Sequence, residues 1–233
     1  GHLGDPMEDL AWFSLRSVLE PAPDFPVRLQ EYAAASGRPV DLDRVRYHRA
    51  FVSWRVVIIR HCNVSGRAGA SVISRALNRR LLIEAIDDVE GRPSGVRCPQ
   101  IDAIASRGAR EYDGIFDQTL EDIRVDIVPR CDDKPAVALK AKDVAKAIKF
   151  MRQLYNFGPD IERWEIDRLQ QQLGTSIDAL QTGRIALAAQ VASRRLGARD
   201  VQDFLRQTVA ADTLLASGSM GALATRSFPP LMD

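Results

Sequence analysis

The sequence predicts an all-α protein. Three observations carry this: apolar residues recur at three- and four-residue spacing along most of the chain, helix-capping residues precede those runs, and alternating strand patterns are almost absent. Val125 to Val128 is the one ambiguous run. Hydrophobic residues make up 45% of the 233 positions and charged residues 27%, which excludes an intrinsically disordered or collagen-like chain. At this length a core can form without a disulfide or metal staple.

The elements follow in order. Asp5-Pro6-Met7-Glu8 reads as a helix start, with Asp5 as N-cap, Pro6 at the first helical position and Glu8 closing a capping box. Leu10, Trp12, Phe13, Val18 and Leu19 continue that helix. Pro21, Pro23 and Pro26 form a rigid connector, and a second helix spans about 26–36 and stops at Gly37. Asp41 or Asp43 caps a long third helix carrying Leu42, Val45, Phe51, Trp54, Val57 and Ile58, with Arg44, Arg46, Arg49, Arg55 and Arg60 around it. Ser65, Gly66 and Gly69 mark a break before a helix over about 70–89.

Glu90 to Gly95 contains two Gly and one Pro and reads as a linker. Beyond it, a helix is expected over about 101–127, weakened by Gly108 and Gly114, and a turn from Pro129 to Pro135. Residues 136–157 predict an amphipathic helix with Val137, Val144, Ile148, Met151, Leu154 and Tyr155 inward and lysines outward. Gly158-Pro159 should end it, and Asp160 should cap a new helix to about Leu173, where Gly174 stops it. Two further helices are expected over about 176–196 and 200–216. The organisation that results is a first domain over 1–91, a linker at 92–95, a helical bundle over 96–217 and a tail over 218–233 that is flexible or docked as an extended strand.

Several function classes have no support in the residues. A net charge of +1 lacks the basic excess of a dedicated nucleic-acid binder. No apolar run is long enough to span a membrane, and acidic Asp5, Glu8 and Asp9 stand where a signal peptide would be basic. The odd, widely spaced Cys62, Cys98 and Cys131 form no disulfide framework or zinc ribbon, which suits the cytoplasm. Phosphate-binding glycine loops, HExxH and the GxSxG elbow are absent; the nearest string, Ser217-Gly218-Ser219-Met220-Gly221, lies towards the C-terminus. His48 and His61 sit thirteen residues apart, too far to share a metal on one helix. Asp87-Asp88-Glu90 and Asp132-Asp133 read as caps and solvated ends, and Arg79-Arg80 and Arg194-Arg195 as exposed helix charges. No metal site is assigned.

One string carries more. Gly4-Asp5-Pro6 followed by Asp9-Leu10-Ala11, within Gly1 to Trp12, resembles the segment that follows the metal-binding aspartate in aminoglycoside phosphotransferase-like kinases. Tyr47, Ala50 and Phe51 on the long helix are similar to the C-terminal lobe of that family, and the resemblance extends to about residue 90. It implies a helical C-lobe of a protein-kinase-like fold, ATP and Mg as cofactors of a longer parent, and phosphoryl transfer to the hydroxyl of a small molecule. It also implies that Asp5 and Asp9 are structural supports, with Asp9 anchoring the catalytic loop, while Tyr47, Arg49, Trp54 and Arg55 face the acceptor pocket.

In that family the nucleotide lobe, the catalytic Asp and the Mg-binding Asp lie upstream of this motif, and only Gly1 to Leu3 precede it here. The chain opens without Met, and the expectation is a catalytically silent C-terminal part of a longer kinase. Residues from about 95 to 217 are weakly similar to a helical domain of unknown function that follows some bacterial members. The shared features are Val128-Pro129, Leu154-Tyr155, and Phe204-Leu205 with Thr208-Val209. Lys140, Lys142, Lys146 and Lys149 read as a solvated face, with an anionic partner such as an acyl-CoA phosphate as the alternative. The rival functional class is a non-catalytic interaction module, and the helical faces offer a contact for a homodimer.

Overall fold

The structure is a computed structural model and describes residues 4–62, 68–93, 98–106 and 110–232. The described residues form helices joined by turns and short extended segments, with no strand among them, so the protein is all-α. The opening Gly1-His2-Leu3, the Ser65-Gly66 break, the end of the linker at 94–95 and Gly108 lie outside the described residues. The chain divides into two compact units. One comprises Gly1–Ser65, Ser74–Gly95 and Met220–Asp233; the other comprises Gly66–Ile73 and Val96–Ser219.

In the first unit, α1 (Pro6–Leu19) starts as its sequence dictates. The Asp5 carboxylate accepts the Met7 N–H at 3.0 Å, and Pro6 occupies the first turn. Glu8 does not complete the capping box: its side chain turns to Arg55 at 2.8 Å. After α2 (Phe25–Ser36), Gly37 adopts φ +64°, the left-handed geometry that ends helices at little cost to glycine. Asp41 caps α3 (Leu42–Cys62) by accepting the Arg44 N–H, while Asp43 pairs with Arg46. Met7 and Leu10 of α1, Phe25 and Leu29 of α2, and Val45 of α3 form one buried cluster that Leu231 completes.

From Ser74 onward, α4 (Ala68–Val89) belongs to this unit. It buries polar groups along with Leu77, Leu81 and Ile83. Arg80, Glu84 and Asp87 are all inside, so Arg80 is not an exposed helix charge and Asp87 is not a solvated helix end. The sequence gives no warning, because a buried Arg–Glu pair spaced i,i+4 looks the same as a surface one.

Residues 218–232, expected to be a flexible tail or a docked extended strand, are placed. Helix α9 (Ala198–Met220) runs on to Met220, a short 3₁₀ turn spans Gly221–Ala224, and the residues after it lie on the first unit with Leu231 buried. The Ser, Gly and Pro content reports only that no regular helix continues; it does not report what the extended chain is docked against.

The second unit contains α5 (Pro99–Ala105), α6 (Asp113–Asp122), a π-turn (Ile123–Ile127), a 3₁₀ turn (Pro129–Cys131), α7 (Pro135–Leu173), α8 (Leu180–Ala192) and most of α9. The single helix expected over 101–127 is thus two, with the ambiguous Val125 run in the π-turn. Helix α7 is one helix of 39 residues with Pro159 inside it. An internal Pro removes one backbone bond at a cost of about 3 kcal/mol. Burial on both sides outweighs that cost. Phe157 and Ile161 pack with Cys98, Ile101, Ile104, Ala210 and Ala211, and Leu169 packs with Ile177, Leu187 and Phe204. Asp160 lies inside α7 and not at a helix start; its buried carboxylate binds Arg110 and Arg163.

The face of α7 expected to point inward is largely outside. Val137, Val144, Met151 and Leu154 are exposed, whereas Asp143, Asn156, Asp160 and Glu165 are buried. Each buried group has a specific partner. Arg184 forks onto Glu165 at 2.6 and 2.7 Å, and Asn156 shares Asp113 with Arg152. Asp143 accepts the Ala70 N–H in the first turn of α4. Such charge-assisted bonds compensate burial where an apolar pattern would have predicted a greasy seam.

Gly69 permits a close approach within this unit: a Cβ there would fall on the Asp143 carbonyl and 2.7 Å from Lys146 Cβ. Gly69→Ala should therefore destabilise the protein by ~1–3 kcal/mol. Gly114→Ala, on α6 with open space around it, should be neutral or stabilising by ~0.5–1 kcal/mol. Urea denaturation of the two variants checks the contrast.

Candidate functional site

The string that singled out the N-terminus builds a polar node between α1 and α3. The Asp5 carboxylate caps α1 through one oxygen. Through the other it binds Arg44 at 2.5 Å and His48 Nε2 at 2.8 Å. The Met7 N–H is the chief cause that holds the Asp5 carboxyl below its ordinary value, followed among the lowering effects by His48 and Arg44. Asp5 thus ties the start of α1 to α3. Asp9 lies one turn later on α1 and is exposed.

Helix α3 divides the four acceptor-pocket candidates. Tyr47, Trp54 and Arg55 share one face with Phe51, because positions 47, 51, 54 and 55 fall within a quarter-turn or so on a 3.6-residue helix. Tyr47 is 60% exposed and Trp54 51% exposed. The rings form a ladder: Tyr47 meets His48 edge-on at 5.3 Å, His48 meets Phe51 at 6.5 Å, and Phe51 stacks on Trp54 at 6.1 Å. The Arg55 guanidinium lies over both Trp12 and Phe51, at 5.8 and 5.7 Å, while it pairs with Glu8. Ile58 extends the exposed face by one turn.

Arg49 does not belong to that surface. It points to the opposite side of α3 and is 3% exposed. Its Nε donates to Ser14 Oγ at 3.0 Å, its Nη2 donates to the Pro229 carbonyl at 2.8 Å, and its plane lies 4.9 Å from the Phe228 ring. Burial pulls its pKa down to about 10, which still leaves it charged at neutral pH. The sequence grouped Arg49 with Tyr47 by proximity; helical phase separates them.

Chemistry-bearing clusters are few. Among the described residues no three His, Cys, Asp or Glu side chains converge as a metal site. His48 is committed to Asp5, and Cys98 and Cys131 are buried thiols. A crevice lined by Val57, Arg60, Arg75, Asn78 and Arg79 has a volume of about 10 Å³, room for about one water. What the arrangement offers is a flat aromatic and cationic surface beside a carboxylate, suited to stacking and hydrogen bonding. Phe51 and Trp12 were missed as members of this surface, although the 47–51–54 spacing on one helix was the signal for Phe51.

Arg49→Ala should cost ~1–3 kcal/mol by stranding Ser14 and the Pro229 carbonyl, while Arg55→Ala should cost under about 1 kcal/mol. Asp5→Asn tests linkage. A depressed carboxyl contributes stability that is present above the ordinary value of 3.8 and lost as pH falls through the lower folded value. The variant should therefore lose stability at neutral pH and show a shallower loss between about pH 4 and pH 2 than the parent, read from thermal midpoints.

No protein-family profile, no curated protein and no solved structure matches the chain.

Proposed function

We propose that the chain forms the acceptor-side helical part of an aminoglycoside-phosphotransferase-like small-molecule kinase, in which the γ-phosphoryl of ATP passes to a hydroxyl with Mg. The observation that carries this reading is the Gly4-Asp5-Pro6…Asp9-Leu10-Ala11 string, together with the double use of Asp5 as helix cap and as partner of Arg44 and His48. A bare capping motif needs neither Asp9 nor the ties to α3. In this reading Tyr47, Trp54 and Arg55 offer the acceptor stacking surface and cationic edge, and Asp9 holds the backbone amides of a catalytic loop.

The described residues supply no donor set that fits Mg, so no step of phosphoryl transfer is assigned to them. The reading belongs to a cytoplasmic enzyme; no described helix is long and apolar enough to cross a membrane.

A second reading is a non-catalytic helical interaction module. It is favoured by the exposed Tyr47, Phe51, Trp54 and Ile58 on one face of α3, an apolar stripe of the kind partner helices cover.

Intact mass and Mg-ATP binding of the natural protein from source cells separate the two. The kinase reading expects a product of roughly 50 kDa that binds Mg-ATP. A product of 25.8 kDa without nucleotide binding leaves the module. In an active natural protein, Tyr47→Ala and Trp54→Ala should raise the acceptor KM about tenfold, ~1.4 kcal/mol, with the KM for ATP unchanged. Asp9→Ala should lower kcat more than it weakens ATP binding. Equal effects on both substrates would remove the acceptor-side assignment.

A further inference from the structure

The first half of α7 is held from several sides. Arg152 reaches Asp113 and Asp117 of α6, Asp143 accepts the Ala70 N–H of α4, and Ser219 Oγ of α9 donates to the Lys146 carbonyl at 2.7 Å. Gly69 of α4 lies against Asp143 and Lys146 as well. One face stays bare. Val137, Val144, Met151 and Leu154 are between 45% and 56% exposed, and Ile148 is half-buried at their edge. The ties elsewhere on the helix keep α7 from turning these residues inward.

Farther along, the same face has a cover. By helical phase, Glu165 and Leu169 continue the line of Met151. Helix α8 packs on them: Leu187 joins Leu169, and Arg184 forks onto Glu165. The face of α7 is thus a helix-pairing face whose second half α8 covers and whose first half is open.

The pattern of the open half fits a paired helix. Val137, Val144 and Met151 recur every seven residues, and so do Lys140, Ala147 and Leu154, three positions on. These are the two seam positions of a coiled coil, with β-branched valines in the first series. The charges along the helix are polarised. Lys140, Lys142 and Lys149 are exposed in the first half, and Glu162 and Asp167 in the second, where Arg163 is tied to Asp160. Arg184 lies near Glu162, but its fork is taken by Glu165.

We propose that the open half of α7 pairs with the same segment of a second copy, antiparallel, about a two-fold axis near position 149. In that register Val144 packs with the partner's Leu154, and Met151 with the partner's Ala147. Lys140 passes the partner's Gly158, which has no side chain to obstruct it, and reaches the partner's Glu162. Charge complementarity selects this arrangement: the basic half of each helix lies on the acidic half of the other, whereas a parallel pair would set Lys140 against its own copy. The contact is self-complementary and closes as a dimer. The seam is short, so the dimer is reversible, with a Kd on the order of 10 μM.

The test is sedimentation equilibrium of the full chain in low salt, from about 1 μM to about 500 μM. The mass should rise from 25.8 kDa towards twice that value. Val144→Asp, at an exposed position, should weaken the dimer at least about tenfold and leave the thermal midpoint of dilute protein unchanged. Lys140→Glu and Glu162→Lys should each weaken it about tenfold, and the double variant should return to within about threefold of the parent. Positions 140 and 162 are about 33 Å apart along one helix, so a rescue must pass through the partner. If Val144→Asp does not fold, the charge exchange decides alone. A mass of 25.8 kDa at every concentration, a dimer indifferent to Val144→Asp, tightening by Lys140→Glu alone, or no rescue in the double variant would overturn the proposal. The measurement reads non-covalent mass and needs no nucleotide or acceptor, so its failure is distinct from failure of the kinase reading.

Discussion

The first unit depends on two buried arginines whose N–H groups are filled mainly by main-chain carbonyls of the last residues, with Glu84 paired to Arg80 at 3.3 Å. Arg49 and Arg80 are nearly enclosed, and their donors end on main-chain carbonyls and one serine hydroxyl. Burying a guanidinium is costly unless its N–H groups are filled. Here the filling comes from residues 223–229, more than 130 positions after Arg80. The unit is therefore assembled from three separated stretches, and its last stretch brings both hydrogen-bond acceptors and the Leu231 side chain. Such a closure joins distant parts of the chain and belongs to the slow, non-local kind of contact.

The second unit meets the same requirement with side chains. Its long helix buries Asp143, Asn156, Asp160 and Glu165, and each is matched by an arginine fork, a shared amide or a helix N-terminus. Matched polar burial of this sort specifies one arrangement among several apolar ones, because a shifted helix would strand charges. It also explains how α7 passes through Gly158-Pro159. Apolar clusters on both sides of the proline, plus the Asp160 pairs, hold the helix where local chemistry would end it.

The candidate surface gathers on α3. The helix has three tasks that its phase keeps apart. Val45 and Val52 enter the core, Arg49 reaches the C-terminal segment, and Tyr47, Phe51, Trp54 and Arg55 stay on an outer face. The node at Asp5 fixes α1 against this helix, so the outer face carries Trp12 and Glu8 of α1 as well. A surface of stacked rings beside ionised groups is suited to a hydroxylated or planar ligand and to a partner helix alike.

The sequence alone determined the all-α class, the start of α1 at Asp5, and the stops at Gly37 and Gly174. These follow from local chemistry: cap oxygens for unpaired N–H groups, glycine for left-handed geometry, and the 3.6-residue period. Tertiary structure alone decided that Pro159 sits inside a helix, that Arg49 and Arg80 are buried, that the apolar residues of α7 face outward, and that the last residues complete the first unit. Each of those depends on which distant group supplies a hydrogen bond or covers a methyl group. A residue's own letter and its neighbours carry its propensity; they do not carry the partner that makes burial of an aspartate or an arginine affordable.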